Sequence, residues 1–147
     1  MVWDNEDEAM QQKNLKKQSE KPKKILIVED EKLLAEMYEE KFTQAGLQVA
    51  LAYSAEEGIQ AAKKEKPALV LLDILLPRGN GIEFLKAIKK SKRISKVPVV
   101  AFSNYDDPAT KKQAFELGVL EYLIKTSYTP QEIVDKVKSY ISEIQVK

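Results

Sequence analysis

From Lys24 onward, short apolar runs alternate with stretches in which apolar residues recur every three or four positions. The runs lie at 24–29, 48–53, 68–73, 97–102 and 120–125, the length of strands buried on both faces. Helical periodicity fills the intervals near 31–45, 55–65, 81–91, 108–117 and 130–145, and the last of these sets Ile133, Val137, Tyr140, Ile141 and Ile144 on one stripe. Local signals agree with this division. Gly46 and Gly118 stand where helices end in a left-handed cap. Ser54 to Glu57 and Thr129 to Glu132 have capping-box spacing, and Pro108 and Pro130 occupy the first helical position, where a missing N–H costs nothing. Five strand–helix alternations joined by short connections predict a single doubly wound α/β domain, a parallel sheet with helices on both faces.

Residues 1–22 follow a different pattern. Asp4 to Glu8 is acidic, Gln11 to Lys24 is rich in Gln and Lys, and apolar residues are sparse. Such a segment buries too little surface to offset its ordering entropy. It is expected to be a flexible charged arm, or at most a helix docked through Trp3, Met10 and Leu15, with the folded domain spanning 23–147.

Composition narrows the function classes. With 24 basic against 23 acidic residues there is no cationic excess to draw the chain to nucleic acid. Without cysteine or histidine, thiolate metal sites, disulfides and the usual general base are excluded. No apolar run reaches the roughly 20 residues of a membrane span, and the N-terminus lacks a signal-peptide pattern. The expectation is a cytoplasmic protein with neither membrane insertion nor direct nucleic-acid binding.

The chemistry that remains is oxygen-based. Asp73 closes the run Ala68-Leu69-Val70-Leu71-Leu72, and the first strand runs into Glu29-Asp30-Glu31. In open α/β sheets the carboxyl ends of the strands face the ligand crevice, so neighbouring first and third strands bring Glu29, Asp30 and Asp73 together. That acid would repel a phosphate cofactor. The only Gly-x-Gly, at Gly79-Asn80-Gly81, has Phe84 where a third glycine is needed, and no Walker pattern occurs. Clustered carboxylates instead favour Mg²⁺, which takes oxygen ligands and quiets their mutual repulsion. Beside such an ion an aspartate can attack phosphorus to give an acyl phosphate, provided positive charge and donors surround the phosphoryl oxygens. Ser103 and Lys125, each at the carboxyl end of another strand, supply them.

Taken together, Ile25 to Glu31, Leu72 to Gly81, Ser103, Gly118 and Tyr122-Leu123-Ile124-Lys125 resemble the receiver domain of two-component response regulators, over about four-fifths of the chain. The resemblance implies a flavodoxin-like sheet in the order 2-1-3-4-5. It implies Asp73 as phospho-acceptor, with Mg²⁺ held by Asp30, Asp73 and the backbone carbonyl of Leu75, and by Glu29 through a bound water. Ser103 corresponds to the hydroxyl that moves toward the phosphoryl group, Lys125 to the lysine that pairs with it, and Tyr122 to the aromatic that turns inward in response. The donor is then the phosphohistidine of a sensor histidine kinase or a histidine phosphotransfer protein. The domain promotes its own phosphorylation and dephosphorylation and is a signalling module rather than an enzyme. No output domain follows Lys147, so a stand-alone receiver is expected, acting through a downstream protein target or a phosphorylation-linked homodimer.

Three positions depart from the family pattern. Glu29 replaces the commoner aspartate, Asn104 stands where a small residue is usual, and Thr126 replaces a proline that tends to follow a cis bond, so the loop into the last helix is expected to differ. Leu75 and Tyr105 are expected to restrict water near an acyl phosphate. Two rival readings remain. A haloacid-dehalogenase-type hydrolase needs a second aspartate where Leu75 stands, and a phosphorylation-independent binding module would carry the same residues as a vestigial site.

Overall fold

The computed structural model describes residues 22–76 and 80–146, with side chains through Glu143. The predicted N-terminal arm, apart from Pro22, lies outside the described residues, as do Pro77, Arg78, Gly79 and the side chain of Ile144. Five strands alternate with five helices: β1 Lys24–Val28, α1 Lys32–Gln44, β2 Gln48–Ala52, α2 Ala55–Glu65, β3 Leu69–Asp73, α3 Gly81–Lys90, β4 Val99–Ser103, α4 Pro108–Glu116, β5 Glu121–Ile124 and α5 Pro130–Val146. All strand pairings are parallel, in the order β2-β1-β3-β4-β5. The chain winds outward from β1 to β2 and then crosses back to β3, so strand order reverses between β1 and β3. A crevice opens at that reversal, above the strands' carboxyl ends.

The pleat sends alternate residues to opposite faces. Ile25, Ile27, Leu69, Leu71, Val100, Phe102 and Leu123 pack under α1 and α5 with Tyr38, Phe42, Ile133, Val134, Val137 and Ile141. Leu26, Val28, Val70, Leu72, Ala101 and Tyr122 pack under α2, α3 and α4 with Ala62, Phe84, Leu85, Ile88 and Ala114. Every residue of β3 and β4 is buried, which explains their unbroken apolar runs. Full burial of each such aliphatic side chain is worth about 1.5–3 kcal/mol.

Helix ends follow the local signals. Thr129 and Glu132 form the reciprocal capping box, with N–H···O distances of 2.9 and 3.1 Å. Ser54 accepts from the Glu57 N–H, while the Glu57 carboxylate reaches the N–H of Tyr53 instead of Ser54. Gly46 and Gly118, at φ +91° and +94°, each sit in a helix end closed by a pair of bonds back to the last turn. Strand β4 starts at Val99, later than the predicted 97, because the Val97 N–H bonds back to Ile94 in the preceding turn and Pro98 has no N–H to give to a neighbouring strand. Strand β5 stops at Ile124, since Lys125–Ser127 form a 3₁₀ turn with no cis peptide among the described residues. No described helix is long and apolar enough to cross a membrane.

Candidate functional site

Each residue singled out at a strand end reaches the same crevice except Tyr122. Glu29, Asp30, Glu31, Asp73, Leu75, Ser103, Asn104 and Lys125 line a pocket of about 370 Å³. Helix α3 holds the Asp73 loop from one side. The Gly81 N–H donates to the Ile74 carbonyl at 2.8 Å, and a Cβ at Gly81 would stand 2.7 Å from the Ile74 Cα and 2.8 Å from the Asp73 carbonyl oxygen. Only glycine permits this approach.

Lys125 is the centre of the charge arrangement. Its Nζ donates to Glu29 Oε2 at 2.7 Å and to Asp73 Oδ2 at 3.2 Å. The second oxygen of each acid accepts a backbone N–H: Glu29 Oε1 from Glu31 at 3.2 Å, and Asp73 Oδ1 from Leu75 at 3.0 Å. The lysine also lies 4.6 Å above the ring of Phe102, which meets the ring of Tyr38 edge-on at 5.6 Å. Phe102 was not among the residues expected here. It sits one position before Ser103 on the opposite side of the strand, and an apolar run does not reveal that a distant lysine will fold over it.

Glu29 is 1% exposed and Asp73 5%, whereas Asp30 is exposed. Burial, with a further push from the Asp73 charge, raises the Glu29 carboxyl from 4.5 to about 7 despite its bond to Lys125. One oxygen from each of Glu29, Asp30 and Asp73 falls within 4.8 Å of the others. Three carboxylates against one lysine leave a formal charge of −3 + 1 = −2. An all-oxygen donor set with an excess of two negative charges fits a hard divalent cation.

The hydroxyl side of the pocket is tied to its neighbours through the backbone of one residue. Ser103, fully buried, accepts the Tyr105 N–H at 3.0 Å. The carbonyl of that same Tyr105 accepts the Tyr122 hydroxyl at 2.6 Å. Tyr122 lies behind Ser103 with its ring inward, 8% exposed, and burial raises its phenol. Leu75, at the pocket, and Tyr105, outside its lining, are half-exposed.

This sheet, with an acidic crevice at its order reversal, is matched by the profile of the response regulator receiver domain over residues 25–138. The chain belongs to that family. The receiver is 31% identical over 124 residues to the alkaline phosphatase synthesis transcriptional regulatory protein of Bacillus subtilis, covering 84% of this chain and 50% of that one. It is 34% identical over 121 residues to the transcriptional regulatory protein CrdR of Helicobacter pylori, covering 82% and 56%. The chain thus spans about half the length of these curated relatives. Among solved structures, a putative response regulator from Chloroflexus aurantiacus superposes with a TM-score of 0.74 at 34% identity, over 83% of this chain and 99% of that one. A CheY-like receiver domain protein from Methanospirillum hungatei gives 0.76 at 27% identity, over 83% and 95%. As a receiver, the chain is a signalling domain of two-component systems.

Proposed function

We propose that this receiver is a phosphorylation-activated switch in which Asp73 accepts a phosphoryl group from the phosphohistidine of a sensor histidine kinase or a histidine phosphotransfer protein. A carboxylate oxygen of Asp73 attacks phosphorus while the P–N bond breaks, and the departing imidazole nitrogen keeps the electron pair and takes a proton from water. Asp30, Asp73 and the Leu75 carbonyl, with Glu29 through a water, would hold Mg²⁺, which supplies charge neutralisation at the phosphoryl oxygens. Lys125, already paired to Asp73, brings a second positive charge to the same oxygens. The observation that carries this reading is the buried Glu29–Lys125–Asp73 array with Asp30 beside it.

The switch then runs through the backbone of Tyr105. When Ser103 turns its hydroxyl to the phosphoryl group, it gives up the Tyr105 N–H. The carbonyl of the same residue, on the next peptide unit, accepts the Tyr122 hydroxyl, so strand β5 and the loop after β4 shift together. Because Tyr122 is already inward, the change is an exchange of hydrogen-bond partners rather than a ring entering from solvent. A downstream protein target or a phosphorylation-linked homodimer reads the altered face.

Intact mass after incubation with acetyl phosphate and Mg²⁺ tests the proposal. The expected result is one labile phosphoryl adduct on the wild type and none on Asp73→Asn. If the wild type gains no adduct and beryllofluoride with Mg²⁺ produces no spectral change, the switch reading fails and the phosphorylation-independent binding module takes its place.

A further inference from the structure

At the end of the sheet opposite the carboxylates, the chain from Lys86 to Lys96 carries Lys86, Lys89, Lys90, Lys92, Arg93 and Lys96 and no acid. All six are exposed, and among the described residues none has a carboxylate oxygen within 4.0 Å. Cations in the last turn of a helix answer its dipole, which accounts for Lys89 and Lys90 at the end of α3. It does not account for Lys92, Arg93 and Lys96, which lie beyond the helix.

Beside them a cleft of about 210 Å³ opens between the end of α3, the approach to β4 and the connection from α4 to β5. Leu85, Ile88, Val97 and Leu117 give it an apolar lining, Lys89 and Lys96 border it, and Leu120 stands 45% exposed at its side. An apolar slot bordered by Lys96 and by Lys89, whose Nζ donates to the Glu116 carbonyl at 3.2 Å but faces no acid among the described residues, suits an aromatic side chain flanked by carboxylates.

We propose that this cleft receives the chain's own first residues, with Trp3 in the slot and Asp4, Glu6, Asp7 and Glu8 against the lysines. The sequence places the only tryptophan directly before these four acids. The tether also leads to the right end. Parallel strands all begin at one end of a sheet, so Lys24 enters β1 on the side where Pro98 and Val99 lead into β4. Two strand spacings, about 10 Å, separate β1 from β4. The 18 residues between Trp3 and Pro22 have a contour length of up to about 60 Å, more than enough to cross that gap. Lys13, Lys16, Lys17 and Lys21 are repelled by the basic end and act as the tether, which leaves the acidic tip to dock. A tether of this length sets an effective concentration on the order of millimolar, so a free acidic segment must compete with the attached one.

Since Trp3 is the only tryptophan, emission excited beyond the absorption edge of the six tyrosines reports on Trp3 alone. At low salt its emission is expected to be blue-shifted from that of a free peptide of residues 1–21, with acrylamide quenching about threefold weaker and independent of protein concentration. Lys89→Glu with Lys96→Glu restores peptide-like quenching, and so does salt at about 0.5 M, where the Debye length falls to about 4 Å. Asp4→Lys with Glu6→Lys has the same effect and leaves the folded domain unaltered, so release is not confused with unfolding. Quenching equal to the free peptide in the wild type at low salt overturns the proposal. Shielding that survives both charge reversals overturns it by placing Trp3 elsewhere, and shielding that fades on dilution overturns it in favour of a second copy's arm.

Discussion

At the carboxyl ends of β1 and β3, two buried acids share one lysine, and each gives its second oxygen to a backbone N–H. At the amino ends of the strands, six cations between Lys86 and Lys96 stand in solvent with no described carboxylate in reach. The same sheet therefore carries one end where charge is locked into the fold and another where, beside the Lys24–Glu65 and Lys136–Glu121 pairs, six cations have no acidic partner among the described residues. Buried charge survives only when paired, so the acidic end is sensitive to any lost partner, whereas the basic end tolerates substitution.

Removing the lysine breaks the contrast most severely. In metal-free protein at about pH 8, Lys125→Met is expected to cost about 3–5 kcal/mol by urea unfolding, because Glu29 and Asp73 are left buried without their counter-charge. A loss comparable to that at an exposed lysine would mean that the array is not what holds this end together. The next effect is a pH dependence. The folded state binds the Glu29 proton more tightly than the unfolded chain, with the carboxyl moved from 4.5 to about 7. Its contribution to stability is full below pH 4.5 and is lost as pH rises through about 7. In EDTA, the wild type should lose up to about 3 kcal/mol across that window relative to Glu29→Gln, and parallel curves would refute the assignment.

The ring beneath the lysine gives a smaller effect. A double-mutant cycle between Phe102→Leu and Lys125→Met is expected to return a coupling of about 1 kcal/mol, and additivity of the two changes would remove Phe102 from the site. At the other end of the sheet, Lys92→Glu should shift the urea midpoint by the equivalent of less than about 0.5 kcal/mol. A larger loss there would show that the basic end is also part of the structural framework.

Much of this contrast is written in local sequence. Strand-length apolar runs, Gly46 and Gly118 at helix ends, and the Thr129–Glu132 box mark the alternation, because each acts over a few residues. Glu29, Asp73 and Ser103 were legible as strand-end polar residues, and sheet order brings them together. What was not legible depends on contacts across long separations. Glu31, expected to begin the first helix, instead precedes it in an extended conformation and gives its N–H to Glu29. Val134, outside the predicted stripe, is buried because α5 packs against α1 as well as against the sheet. Phe102 read as plain core, and only the 3₁₀ turn at Lys125 directs a cation back over its face.

Tyr105, bonded through its N–H to Ser103 and through its carbonyl to Tyr122, has a consequence for how the buried crevice can be watched. Tyr105 itself is 42% exposed, so the proton on its amide is kept from heavy water by a single serine oxygen, while the neighbouring amides of β4 are kept by the ladder. Under the proposed switch, rotation of the serine would let that one proton exchange while the ladder's do not, a one-amide isotope clock on the surface that would keep time with the interior.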